Sequence, residues 1–316
     1  MDWIPNEFIE REIDYPELIK ALDLSFRENK IISPPKQINE YRSNSSSSEN
    51  RLLFMPAWDN EKYIGCKLIT TTPDNHNKDL PYVNGVYHLF DAKTGKPLIA
   101  MDAKLITNLR TAATSALAAS KLIRDNARSL LILGNGALAQ FYIEAHQAVH
   151  RYKKIYIWGR NFIKSQMVVE GLNKKHDWDI TPLPMNKDLV QEVDVISCIT
   201  SAEEPLLFQK DLGLGQHLDL AGSFTHDMRE VSTDVVENCS VFTDNLDTTP
   251  YHASELVQAV SEGTFKVEDI RGDLVYLCRS TSSVRSSDTE NTLFKSTGMA
   301  TEDLVIATLI YDKFTD

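Results

Sequence analysis

Ser129-Leu-Leu-Ile-Leu-Gly-Asn-Gly-Ala-Leu-Ala-Gln140 is the stretch on which the fold turns. Ser129 to Leu133 is a continuous apolar run of the kind that forms a strand buried on both faces. The glycines and alanine-rich segment after it predict a tight turn and a helix. Gly134, Gly136 and Ala139 stand in the G-x-G-x-x-A spacing. In that pattern the first glycine makes the turn, the second lets backbone approach a pyrophosphate, and the small third residue lets helix pack on strand. The helix N-terminus then offers its N–H groups to the anion. The glycines alone also fit an ordinary strand-to-helix turn; the flanking strand and helix make this a dinucleotide site.

Downstream, strand and helix keep alternating. A helix over 137–150 leads to the strand Lys154-Ile-Tyr-Ile-Trp158, whose tip is Gly159-Arg160-Asn161. An acidic residue at this tip would bind the ribose 2′-hydroxyl of NAD and repel a 2′-phosphate. Arg160 and Asn161 favour NADP(H) instead, the other reading being a solvated surface arginine. A polar helix over 161–175 follows, then a strand over 193–200 whose exit, Thr200-Ser201, would face the cofactor. Further strands lie at 218–223 and 241–244. The alternation from about 128 to 245 predicts an α/β, doubly wound parallel sheet, which binds ligands at the carboxyl ends of its strands.

Upstream the pattern differs. An alanine-rich helix over 108–123 feeds the first buried strand, and before it short strand-like runs at 51–55, 62–70 and 83–91 suggest an antiparallel sheet. A turn at Lys93-Thr-Gly-Lys-Pro97 separates the last of these from Leu98-Ile-Ala-Met. Residues 1–33 carry a helical apolar face of Leu18, Ile19, Ala21, Leu22, Leu24 and Phe26, stopped by Pro34-Pro35. The polar text from Gln37 to Asn50 ends in a serine-rich surface loop over 43–50. At the other end a helix is expected over 301–313, with Thr301 and Asp303 in its first turn.

A chain of 316 residues has room for roughly two ordinary domains. Its net charge of −12 argues against nucleic acid as a partner, because phosphate neutralisation needs a basic surface. No apolar run is long enough for a membrane span and the N-terminus lacks the regions of a signal peptide, so a cytoplasmic protein is expected. Cys66, Cys198, Cys239 and Cys278 are scattered, without C-x-x-C, as reduced thiols are.

Against this acidic background two cations stand out. Lys67 sits in an otherwise apolar strand, and Arg110 opens the helix that leads into the dinucleotide fold. Arginine can hold a carboxylate through two parallel hydrogen bonds, and lysine is a point charge whose pKa falls when desolvated. Each also has a plain reading, an outward-facing strand residue and a helix-surface residue. His146 and His150 are spaced i, i+4, but no H-E-x-x-H accompanies them, and they read as a solvated helix face, with no metal site. No G-x-S-x-G elbow, P-loop lysine or Cys-His pair appears, leaving redox chemistry by a bound dinucleotide.

Phe54-Met-Pro56, Cys66-Lys67-Leu68, Leu89-Phe-Asp-Ala-Lys-Thr-Gly95, Thr107-Asn-Leu-Arg-Thr-Ala-Ala113, Ile132-Leu-Gly-Asn-Gly-Ala137 and Phe294-Lys-Ser-Thr-Gly-Met-Ala-Thr-Glu-Asp303 together resemble the ornithine cyclodeaminase/mu-crystallin family over most of the chain. The resemblance implies a Rossmann-type sheet at 125–290 inserted in a second, α+β substrate and dimerisation domain made from 1–124 and 291–316, and a homodimer. It implies that Lys67 and Arg110 bind and activate the substrate's amino-acid head. Gly134, Gly136, Ala137, Thr111, Arg160, Asn161, Thr200, Ser201, Ser296 and Gly298 are then expected on the cofactor, with Ser223 and Thr297 on the substrate.

Two departures from the family pattern matter. Cyclodeaminases carry an Asp directly after the glycine that stands here as Gly222, whereas this chain has Ser223, so hydrolytic deamination loses its base. Leu218 to Glu230 is most similar to bacterial proline-forming imine reductases. Family members also have an Arg where Lys36 follows Pro34-Pro35, so Lys36, Arg42 or Arg51 must complete the carboxylate clamp. The expected activity is NAD(P)H-dependent reduction of 1-pyrroline-2-carboxylate to L-proline and of 1-piperideine-2-carboxylate to L-pipecolate, with NADP(H) preferred and NAD(H) left open. The rival readings are an ornithine cyclodeaminase, an alanine-dehydrogenase-like enzyme and a non-enzymatic ligand binder of mu-crystallin type.

Overall fold

The computed structural model describes residues 1–42, 49–78, 80–184, 187–223 and 228–315. The expected serine-rich loop therefore lies largely outside the described residues, as does 224–227 of the segment similar to imine reductases. The chain forms two compact units, Met1–Thr111 with Gly298–Asp316, and Ala112–Thr297.

In the first unit, six described strands make one sheet: β1 (Asp2–Ile4), β2 (Gln37–Tyr41), β3 (Asn50–Trp58), β4 (Tyr63–Thr71), β5 (Val83–Asp91) and β6 (Pro97–Asp102), in the order β1-β6-β5-β4-β3-β2. The pairs from β2 to β6 are antiparallel and β1 joins β6 in parallel. β2 lies in the polar text that begins at Gln37, ahead of the expected loop, and all five of its residues are exposed. Polar residues suit an edge strand, which must not invite further pairing. At the N-terminus, helix Tyr15–Glu28 buries Leu18, Ile19, Leu22 and Phe26, and Asp14 caps it by accepting from the Glu17 N–H at 2.9 Å. It ends at Asn29, which takes a left-handed φ of 52°, before the two prolines are reached. Leu24, expected in the apolar face, is exposed. The C-terminal helix Ala300–Thr315 packs on β4 and β3.

In the second unit, seven described strands form a wholly parallel sheet: β7 (Ser129–Leu133), β8 (Lys154–Trp158), β9 (Ile180–Leu183), β10 (Val195–Cys198), β11 (His217–Leu220), β12 (Ser240–Thr243) and β13 (Thr292–Lys295). Their order is β12-β13-β11-β10-β7-β8-β9. Direction of winding reverses at β7, which therefore marks the topological switch point where such sheets take a ligand. Helix Ala139–Val149 starts two residues later than expected.

Both expected boundaries move. Helix Ala103–Leu122 begins five residues early and is divided after Thr111, and the segment 291–297 joins the parallel sheet. The second shift follows from β13, which pairs on one side with β11 and on the other with β12. His146 is also corrected: it lies in the core at 0% exposure, 3.2 Å from Ser197 Oγ and 3.6 Å from Asp219 Oδ2. His150 is half-buried, its Nε2 2.6 Å from the Ala127 carbonyl. Among the described residues no group of three or more His, Cys, Asp and Glu side chains converges as metal ligands would. None of their helices is long and apolar enough to cross a membrane.

Candidate active site

In the first unit the register sets Met55, Lys67, Tyr87 and Met101 in one row across β3, β4, β5 and β6. Side chains alternate across a strand, so this row shares a face with Gly65 and Ile69, the face the C-terminal helix covers. Lys67 is thus turned inward and only 1% exposed. Its Nζ lies 2.8 Å from Asp303 Oδ1 and 2.7 Å from Oδ2. Arg110 reaches the same carboxylate from helix Ala103–Leu122, with Nε 3.2 Å from Asp303 Oδ1, and its Nη1 lies 2.6 Å from Glu302 Oε2. Both acids stand in the first turn of the C-terminal helix, where the helix dipole favours negative charge.

Two glycines make this packing feasible. At Gly298, with φ +80°, a Cβ would sit 2.7 Å from Arg110 Nη1. At Gly65 a Cβ would overlap the Tyr87 hydroxyl. That hydroxyl is buried without a hydrogen-bond partner among the described residues, and burial pushes its pKa well up. Lys67 moves the other way, down to about 8: burial is the largest cause, the neighbouring Arg110 guanidinium adds to it, and Asp303 opposes both. A lysine in this state gives up its proton through about pH 8, well below the ordinary lysine range.

The three clamp candidates separate by register. Gln37, where β2 begins, pairs with Phe54, and half-buried Lys36 directly precedes it; carried on by one residue, that register would set Lys36 opposite Met55, in the row of Lys67. Arg51 shares the face but lies four residues along β3 from Met55, roughly 13 Å at the rise of a strand, and its Nε binds Glu40 at 3.2 Å. Arg42 is exposed and bound to Glu49 at 3.0 Å. Thr111, next to Arg110, donates to the Thr107 carbonyl of its own helix at 2.6 Å.

In the second unit the glycine turn has the shape its spacing predicts. Gly134 takes φ +125°, and a Cβ there would meet the Ile199 carbonyl at 2.8 Å, so the exits of β7 and β10 touch. Gly136 and Ala137 are exposed, and nothing lies within 4 Å of where a Gly136 Cβ would be. Helix Ala139–Val149 begins without a side-chain cap, leaving its first turn to an anion. An open glycine cradle, an uncapped helix start and a switch-point strand fit a dinucleotide. Asn135, which the sequence reading passed over, ties the turn down: its Nδ2 donates to the Asn161 carbonyl at 2.6 Å and to Ser165 Oγ at 2.9 Å. Asn161 caps the following helix by accepting from the Lys164 N–H, while Arg160 beside it is exposed.

The remaining expected residues divide. Ser201 is exposed and Thr200 half-buried at the exit of β10. Asp244, at the end of β12, accepts from Ser296 Oγ at 3.1 Å and from the Thr297 N–H at 2.7 Å, fixing the loop that leads to Gly298. Ser223, expected on the substrate, is instead wholly buried: its hydroxyl donates to Glu255 and accepts from Lys295. Its hydrogen-bonding capacity is committed inward, which corrects that expectation. Asp303 and Glu302 were missed as partners of the cations. The available signal was two adjacent acids heading a helix that is otherwise apolar for a full turn.

The model of the ornithine cyclodeaminase/mu-crystallin family matches residues 6–316. A curated relative, the Delta(1)-pyrroline-2-carboxylate reductase of Colwellia psychrerythraea, is 34% identical over all of both chains. The structure of Thermococcus litoralis Delta(1)-pyrroline-2-carboxylate reductase in complex with NADH and L-proline superposes with a TM-score of 0.93 at 25% identity, covering 100% of this chain and 98% of that one. An archaeal alanine dehydrogenase dimer with bound NAD superposes with a TM-score of 0.89 at 26% identity, covering 100% and 96%.

Proposed function

Because the chain belongs to the ornithine cyclodeaminase/mu-crystallin family, we propose that it is a nicotinamide-dependent reductase of cyclic α-imino acids, forming L-proline from 1-pyrroline-2-carboxylate and L-pipecolate from 1-piperideine-2-carboxylate. The observation that carries this reading is the buried pair of cations, Lys67 and Arg110, in a chain that also keeps an open dinucleotide turn. Gly134, Gly136, Ala137 and the exit Thr200-Ser201 hold the nucleotide, whose reduced pyridine ring supplies a hydride. Arg110 and Lys36 fix the substrate carboxylate, and orientation of this kind contributes several kcal/mol of barrier reduction. Lys67 donates the proton that makes the imine a better hydride acceptor. In balance, the C=N carbon gains hydride, the nitrogen ends protonated, and no ammonia leaves. Ser223 in place of an aspartate counts against the cyclodeaminase alternative. The test is oxidation of NADPH and NADH, followed by absorbance, with each cyclic imine and with pyruvate plus ammonia, together with ammonia release from ornithine, which involves no net redox change; turnover only with the last two would overturn the assignment.

NADP(H) is the proposed preference, because exposed Arg160 at the tip of β8 can pair with a 2′-phosphate. Arg160→Asp is expected to raise KM for NADPH by about tenfold or more while leaving that for NADH nearly unchanged. An unaltered NADPH/NADH ratio would sink the assignment.

The second proposed partner is another copy of this chain. Opposite the Lys67 row, the sheet of the first unit presents Phe54, Ile64 and Leu68, all more than a third exposed, beside Pro56, Cys66 and Val86. Contiguous apolar surface of this kind marks an interface. The similar archaeal enzyme is a dimer, so a homodimer is the proposed occupant. Leu68→Glu is expected to shift the protein from dimer to monomer in sedimentation; a monomeric wild type would refute this.

A further inference from the structure

Away from the Lys67 row, the second unit buries a charged cluster that the proposed reaction does not use. Lys295, the last residue of β13, has no exposed surface, and its ammonium lies 2.9 Å from the Ser223 carbonyl and 3.2 Å from Glu255 Oε2. Glu255, on helix Ser254–Ser261, accepts from Ser223 Oγ and, at 3.1 Å, from the Glu230 N–H. The Glu230 side chain, also with no exposed surface, turns towards the sheet edge. Its Oε1 accepts from the Thr200 N–H at 2.7 Å and from Thr200 Oγ1 at 3.0 Å, and its Oε2 accepts from the Gly222 N–H at 2.9 Å.

Thr200 lies just past the end of β10 and Gly222 just past the end of β11, neighbouring strands whose own pairing has stopped there. One carboxylate therefore spans the two exits as a strand-to-strand bridge. The approach is so close that a Cβ on Gly222 would overlap the Thr200 backbone and the Glu230 carboxylate. A carboxylate that accepts only hydrogen bonds is the group suited to three converging donors. An amide in its place would aim an N–H at one of them.

We propose that Glu230 is a positioning residue for the nucleotide: by binding Thr200 and Gly222 together it holds the carboxyl edge of β10 and β11 in the shape the cofactor requires. The proposal rests on the reading that this edge takes a nicotinamide nucleotide. It also makes nucleotide affinity sensitive to protons. The charged and titratable groups facing Glu230 are Lys295 on β13, Glu255 on its helix and the Cys198 thiol on β10. Burial, with Glu255 adding to it, raises the Glu230 pKa to about 7, against Lys295 and the two backbone donors. Glu255 is held low by Lys295 and Ser223 despite its burial, and burial pushes Cys198 well up, so Glu230 is the member that titrates near neutrality. Below about pH 7 its carboxyl is protonated, the bridge loses acceptor strength, and the edge loosens.

The experiment is equilibrium binding of NADH, which has no 2′-phosphate to titrate, followed by nucleotide fluorescence from pH 6 to 8.5. Affinity is expected to weaken about tenfold as pH falls through 7, the scale of a weakened charge-assisted hydrogen bond. Glu230→Gln is expected to bind about tenfold more weakly at pH 8, with the pH dependence gone. In nucleotide-free wild type, amide exchange protection at Thr200 and Gly222 should fall in the same pH range. A wild-type affinity and protection that stay flat across pH 7 overturn the proposal, with or without a folded variant. So does a Glu230→Gln protein with unchanged affinity and profile. If wild type binds neither NADH nor NADPH at any pH, the dinucleotide reading itself falls and takes this one with it.

Discussion

Lys67→Ala is expected to lower kcat/KM for 1-pyrroline-2-carboxylate by about two to four orders of magnitude, the usual contribution of a positioned proton donor, with NADPH affinity nearly unchanged. The pH profile adds a signature that misfolding cannot produce. A lysine acting as an acid works in its protonated form, and Lys67 loses that proton through about pH 8. With NADPH saturating at every pH, wild-type kcat/KM should therefore hold below pH 8 and fall by about tenfold per pH unit above it. In Lys67→Ala that limb should be missing from the residual rate. A wild-type profile that stays level to pH 10 would remove the proton-donor role. Loss of NADPH binding in the variant would show that Lys67 has been assigned to the wrong ligand.

The second large effect is expected at Arg110. Arg110→Ala removes the guanidinium that offsets buried Glu302 and assists Lys67 in offsetting Asp303. Breaking a buried pair from one side costs about 3–5 kcal/mol, so this protein should unfold at clearly lower temperature. Its kcat/KM should drop by about two to three orders of magnitude, as when one partner of a hydrogen-bonded charge pair is truncated. The double variant Arg110→Ala, Glu302→Ala separates the two effects. It should regain most of the lost stability, because cation and anion leave together, and regain none of the activity. Recovery of turnover in the double variant would mean that Arg110 serves the fold alone.

Much of the second unit was legible because each feature there is local. Five residues of apolar text make β7, and the glycine spacing makes the turn; neither depends on distant partners. β13 was not legible as part of that sheet, because membership is decided by pairing with β11 and β12, strands roughly 75 and 50 residues earlier in register. The first unit misleads for a different reason. In β4 the bulky apolar residues Ile64 and Leu68 point outward and Lys67 points in. Alternation alone, applied to a lone chain, assigns the charged residue to solvent. That rule fails for β4, whose inward face holds Lys67 against Asp303 while its outward face carries apolar Ile64 and Leu68. Asp303 was noticed only as a favourable first-turn acid. Its role follows from contact with Lys67, 236 residues away in the chain, a distance no spacing argument reaches.

Lys67 and Arg110 meet Glu302 and Asp303, two positive groups against two negative ones, so their enclosure is electroneutral before any guest arrives. A ring imine arriving as its carboxylate anion would add one negative charge to a medium that solvates charge poorly, and so would a 2-oxo acid such as pyruvate. Only the imine would offer that enclosure a basic nitrogen to take up the Lys67 proton, so the two would be told apart at proton transfer and not at admission.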